Sequence, residues 1–260
     1  MPGMSLFIER AGHGPLPLVL IHGWAMHGGV FAPLVEAMAA HCTLYLVDLP
    51  GHGHSRDCTL PLEPAVCAQA IVERTPPAAW LGWSLGGLVA LEGALDHPGH
   101  VRALTMLCAT PRFVRDADWP GGDPDTLARL ARDLREDYRG TLERFLALEA
   151  MGSDDPAAEL RHLRALAFAR GEPDPRVLEE GIGLLGRTDL RPALARLTVP
   201  SLWIAGRRDR LVPPAAMRRA AQAGHGRFVE IAHAGHAPFL GHAERVAAAL
   251  RPFLEGAAAA

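Results

Sequence analysis

The stretch Gly82-Trp83-Ser84-Leu85-Gly86 sets a serine between glycines two residues to either side, with a further glycine at position 87. Glycines so placed permit a cramped turn from a strand into a helix. Such a turn projects the hydroxyl into a pocket and points the backbone N–H of Leu85 at a helix N-terminus, where negative charge is stabilised. A serine hydroxyl is a poor nucleophile until a base takes its proton, and the base needs an acid to fix its tautomer. Thirteen histidines compete for the base. His236, in Gly235-His236-Ala237-Pro238-Phe239, follows the last strand-like run; His233, three residues upstream, is its rival. The candidate acid is Asp209, in Gly206-Arg207-Arg208-Asp209-Arg210, whose alternative is a surface pairing with Arg207, Arg208 or Arg210. A tetrahedral intermediate also needs N–H donors, and these are assigned to the backbone of Leu85 and of Trp24, the latter in the early loop His22-Gly23-Trp24. His22 is read as shaping that loop. The pair His52 and His54 lacks a third ligand at recognisable spacing, so no metal site is expected.

Holding these residues together takes a scaffold. Short apolar runs recur at Leu16–Ile21, Leu44–Val47, Ala79–Leu81, Ala103–Leu107, Ser201–Ala205 and Phe228–Ile231, and helical patterns fill most of the intervals. Strands alternating with helices imply an α/β protein with a mostly parallel central sheet flanked by helices. From Pro111 to Asp189 the alternation stops. Helical patterns run there over Pro124–Asp137, Thr141–Met151, Pro156–Arg170 and Pro175–Leu185, predicting a helical lid over residues 111–189 inserted into a core of 1–110 and 190–260.

Composition narrows the function. Hydrophobic residues make up 49% and charged residues 21% of 260 positions, enough to bury one large core. The net charge of -3, without a run of like charges, disfavours a nucleic-acid partner. All 26 basic residues are arginine, which excludes Schiff-base lysine chemistry and a P-loop lysine. The four cysteines (Cys42, Cys58, Cys67, Cys108) form no C-x-x-C pair and fit reduced thiols in a cytoplasm. Leu16–Ile21 is too short for a membrane span or a signal core. No cofactor, no membrane and a monomer are expected.

The order Ser84, Asp209, His236 is that of α/β-hydrolases. With Asp48-Leu49-Pro50-Gly51, the run Trp80 to Ala90 and His236-Ala237-Pro238-Phe239, the chain resembles the α/β-hydrolase fold. More narrowly, it resembles the pimeloyl-[acyl-carrier protein] methyl ester esterase family of biotin synthesis. Asp118-Trp119-Pro120-Gly121, Glu143-Arg144-Phe145-Leu146-Ala147-Leu148 and Met151-Gly152 are similar to that family's lid. The resemblance implies Ser84 as nucleophile, His236 in preference to His233 as base and then acid, and Asp209 as its orienting carboxylate. It implies Trp24, Trp83, Leu85, Phe113, Phe145 and Met151 about the acyl chain, and a pimeloyl methyl ester carried on acyl carrier protein as substrate. Arg139, Arg144, Arg161 and Arg164 are its candidates for holding the acidic carrier. The 111–189 segment holds 12 Arg against 17 Asp plus Glu, so only a local patch could attract such a partner. A broad short-acyl esterase or thioesterase, and a non-catalytic binding protein on the same fold, are the alternatives.

Overall fold

The structure is a computed structural model that describes residues 5–259; positions 1–4 and 260, the outer ends of the expected core, lie outside the described residues. Strands β1 (Phe7–Ala11), β2 (Leu16–Ile21), β3 (Cys42–Asp48), β4 (Ala78–Trp83), β5 (Val101–Leu107), β6 (Ser201–Gly206) and β7 (Arg227–Ile231) form one sheet in the order β1-β3-β2-β4-β5-β6-β7. All neighbours run parallel except β1 and β3. The helices, in chain order, are α1 (Ala32–Met38), α2 (Pro64–Val72), α3 (Gly86–Asp96), α4 (Pro124–Glu136), α5 (Tyr138–Ala150), α6 (Pro156–Ala167), α7 (Pro175–Arg187), α8 (Pro214–Ala223), α9 (Pro238–Gly241) and α10 (Ala243–Ala259).

Continuous apolar runs become strands here because both sheet faces are covered. Val19 and Ile21 of β2 join one buried cluster with side chains of α2, α3 and α8, whereas Leu18 and Leu20 join the opposite one with α1 and α10. Successive side chains point to opposite faces, so each strand feeds both cores. The edge strand β1 has no counterpart among the runs read from sequence. Its residues, Phe-Ile-Glu-Arg-Ala, are exposed or half-buried, and its antiparallel pairing with β3 needs no apolar run.

The chain passes from β2 to β3 on one side and then crosses to β4 on the other. A reversal of this kind leaves a crevice at the C-terminal ends of β2 and β4, the usual ligand position in open α/β sheets. Both Trp24 and Ser84 lie just beyond those ends.

Helices α4 to α7 all lie between β5 and β6. Each opens on an aspartate whose carboxylate accepts a backbone N–H of the first turn: Asp123 from Asp125, Asp137 from Gly140, Asp155 from Ala158 and Asp174 from Arg176. In three of the four a proline follows the cap at once. Such caps stabilise a helix start by about 1 kcal/mol.

Candidate active site

Ser84 sits between β4 and α3 with a left-handed φ of 53°. The flanking glycines are there because nothing larger fits. A Cβ on Gly82 would lie 2.3 Å from the carbonyl oxygen of Gly86, and one on Gly86 would lie 2.3 Å from that of Ile21. The close approach drives α3 against the loop after β2, so the serine is presented to that loop on a fixed, strained backbone.

From Ser84 a line of hydrogen bonds runs inward. Its Oγ lies 2.9 Å from His236 Nε2, and His236 Nδ1 lies 2.9 Å from Asp209 Oδ2. An ionised carboxylate only accepts, so Nδ1 carries the proton and Nε2 accepts from the serine. Asp209 is held in turn by the N–H groups of Leu211 and Val212, both donating to Oδ1 at 2.8 and 3.0 Å. All three side chains are buried. His233 faces away: its side chain is 57% exposed and its Nδ1 accepts from Arg208. The surface alternative for Asp209 is not what forms, since Arg207 pairs with Glu230 and Arg208 with Asp154.

His22 donates from Nδ1 to the Gly23 carbonyl and accepts at Nε2 from the Leu49 N–H. Burial, with His52 next to it, holds it well below its ordinary pKa, so it is a neutral brace between the loops after β2 and β3. His52 is buried and bonded to its own loop through Pro50, and burial lowers its pKa to about 4. His54 packs on the ring of Phe7. Among the described residues, the one cluster of His, Cys, Asp and Glu compact enough for a metal is Cys108, Asp209 and His236. Two of these form the hydrogen-bonded line, and burial, followed by the charge of Asp209, pushes the Cys108 thiol well above its ordinary pKa.

The N–H groups of Trp24 and Leu85 donate to no other protein group among the described residues. A Cβ on Gly23 would lie 3.0 Å from that of Ser84, so the loop that carries Trp24 packs directly against the serine. A cavity of about 160 Å³ opens above Ser84 and His236. Phe113, Phe145 and Leu185 form its buried wall, while Thr126 and Arg210 are exposed at its rim.

Four of the six residues expected around the acyl chain are placed otherwise. The Trp83 ring lies behind the base, donating from Nε1 to the His236 carbonyl at 2.8 Å and packing on Phe31 and Phe239. Met151 ends α5 at the surface, 48% exposed. The Trp24 indole is clamped by helices, bonding the Leu178 carbonyl at 2.9 Å and meeting the Phe145 ring edge-on. The Leu85 side chain is buried and lies close to Gly181 of α7. Leu127, Leu185 and Leu211 line the cavity and were not anticipated, because an apolar residue on a helix or loop reads alike whether it faces a core or a pocket.

Of the arginines expected to meet a carrier, Arg139 pairs with Glu172, Arg144 with Asp137 and Arg164 with Glu143. Arg161 is exposed and forms no ion pair among the described residues. The same two helices, α5 and α6, each carry a buried acid. Glu149 is fully buried with neither oxygen bonded, and burial, then Glu159 and Asp209, push its pKa well up; burial raises Glu159 to about 7. Both acids bind protons more tightly folded than unfolded, so they cost no stability below about pH 4.5 and an increasing amount as pH rises through 7. Glu159→Gln is therefore expected to gain about 1–3 kcal/mol over the parent at pH 8 and little at pH 5. Glu149→Gln should shift the same way. Urea unfolding at the two pH values checks this, and an equal gain at both would refute it.

A family model described as the alpha/beta hydrolase fold matches residues 17–243. The chain is 57% identical to the pimeloyl-[acyl-carrier protein] methyl ester esterase of Xanthomonas campestris pv. campestris (strain B100), covering 96% of this chain and 98% of that protein. It is 58% identical to the enzyme of that name from Stenotrophomonas maltophilia (strain R551-3), covering 96% and 97%. Among solved structures, an esterase from Exiguobacterium antarcticum matches with a TM-score of 0.85 at 23% identity, over 96% of this chain and 95% of that one. The enol-lactonase from Burkholderia xenovorans LB400 matches at 0.82 and 22%, over 96% of each. At such identities the structural matches speak for the fold alone. The chain belongs to the α/β-hydrolase family and, within it, to the pimeloyl-[acyl-carrier protein] methyl ester esterases.

Proposed function

We infer that this chain is a cofactor-free serine carboxylesterase that hydrolyses the methyl ester of pimeloyl-[acyl-carrier protein] methyl ester, releasing methanol and pimeloyl-[acyl-carrier protein] in biotin synthesis. The observation that carries the reading is the continuous hydrogen-bonded line from Ser84 through His236 to Asp209, ending at an apolar cavity. The near full-length likeness to esterases of that name supplies the substrate.

Ser84 Oγ attacks the ester carbonyl carbon as His236 Nε2 takes its proton. The carbonyl electrons move to oxygen, which the N–H groups of Leu85 and Trp24 receive, each worth about 3 kcal/mol in the transition state. Asp209 keeps Nδ1–H in place and balances the imidazolium. The C–O bond to the methoxy group then breaks, His236 returns its proton to that oxygen, and methanol leaves. Water repeats the sequence on the acyl-serine: His236 takes a proton from water, hydroxide adds to the carbonyl, and the collapse restores Ser84 and frees the carboxylic acid.

Helices α4 to α7, within residues 111–189, serve as the lid. Phe145 and Leu185 wall the cavity from that segment, an apolar surface suited to a polymethylene chain. The acidic carrier remains outside, with Arg161 the best placed of the four arginines to meet it. The reaction takes place in the cytoplasm; among the described residues no helix is long and apolar enough to cross a membrane. The test is genetic complementation. Expression in a bacterium lacking its own methyl-ester-cleaving step should restore growth without biotin, and the Ser84→Ala variant should not. An expressed, esterase-active chain that fails to restore growth would favour a broad short-acyl esterase.

A further inference from the structure

The cavity above Ser84 grades from apolar depth to a polar rim. Asp123 and Thr126 border the rim, and both are engaged: Arg115 stands 3.4 Å from the Asp123 carboxylate, which also caps α4, and Arg129 donates to Thr126 Oγ1 at 3.1 Å. Arg210 lines the same cavity, is exposed, and makes no hydrogen bond or ion pair among the described residues. Its neighbours do not neutralise it. Arg207 and Arg208 hold Glu230 and Asp154, while the Asp209 carboxylate is turned inward to His236 and the Leu211 and Val212 N–H groups. One uncompensated guanidinium therefore stands at the mouth of a pocket whose floor is the reacting hydroxyl.

A ligand with a neutral ester at one end and an anion at the other fits this gradient in one direction. The anion cannot enter first, because stripping its water against Phe113, Phe145 and Leu185 would be costly. Resting on the function proposed above, we propose that Arg210 is a specificity-determining residue: its guanidinium receives an anionic oxygen group at the far end of the acyl substrate and so directs the methyl ester to Ser84. Guanidinium binds carboxylate and phosphate alike. The anion is accordingly either the free carboxylate of a dicarboxylic acid monoester or the phosphodiester of a carrier's prosthetic arm.

Two substrate pairs separate the sources. The first is monomethyl pimelate against methyl heptanoate; the second is the methyl-ester pimeloyl thioester of phosphopantetheine against that of pantetheine. Arg210→Gln is expected to lower the charged-over-neutral ratio of kcat/KM about tenfold in one pair, acting through KM, with partial recovery in Arg210→Lys. The parent's ratio in that pair should also fall as salt is raised. A fall in the first pair identifies a carboxylate, and a fall in the second the phosphate of the carrier's prosthetic arm. Ratios within twofold of the parent in both pairs overturn the inference while leaving the esterase reading intact. A parent that hydrolyses none of the four esters overturns both.

Discussion

Ser84→Ala is expected to lower kcat for methyl-ester hydrolysis by roughly a millionfold while leaving the fold in place. Alanine keeps the Cβ and the backbone of the strained turn, so the loss comes from the nucleophile itself. His236→Ala should be about as damaging, because a hydroxyl without its base and a base without its hydroxyl fail at the same step. The double variant should then be scarcely worse than either alone, the mark of residues acting as a unit. The remaining rate over water would come from the free N–H groups of Leu85 and Trp24, which neither substitution removes. Single-turnover kinetics on monomethyl pimelate, with circular dichroism as the fold control, measure this. A folded Ser84→Ala variant within tenfold of the parent would end the proposed mechanism.

Asp209→Asn should cost about 10⁴-fold in kcat, the scale known for such a swap in serine hydrolases. The structure gives the reason in local terms. Oδ1 accepts two backbone N–H groups, from Leu211 and Val212, and only an oxygen can fill that place. The asparagine amide is therefore forced to turn its NH₂ toward His236 Nδ1. That nitrogen must then accept, the ring proton moves to Nε2, and the base now points an N–H at the serine it should deprotonate. Nitrogen NMR of His236 should report the exchanged tautomer. An active variant with the proton still on Nδ1 would show that Asp209 does not set it.

Much of this arrangement was readable from residue order. Gly82, Gly86 and Gly87 announce the turn that carries Ser84, and the aspartates before Pro124, Pro156 and Pro175 mark helix starts through capping chemistry that is local by nature. The strand β1 was not readable, because an edge strand with Glu9 and Arg10 carries no continuous apolar signal. The cavity wall was read in part. Phe113 and Phe145 line it, whereas the side chains of Trp24, Trp83, Leu85 and Met151 lie elsewhere. Whether a large apolar side chain faces a cavity, the core or solvent depends on how α4, α5 and α7 lie across the sheet, which no local pattern encodes. The acids Glu149 and Glu159 escaped notice for a related reason. On a helix they look like solvated charges, and only packing shows that they are buried.

Trp24 does two things at once. Its indole grips the Leu178 carbonyl of α7, and its backbone N–H is one of the two donors proposed to meet the oxyanion. Were the proposed lid to lift for product escape, that roof would pull on the very residue proposed to steady the developing charge. Departure and chemistry would then share one mechanical joint, and substitutions that loosen the first would be felt in the second.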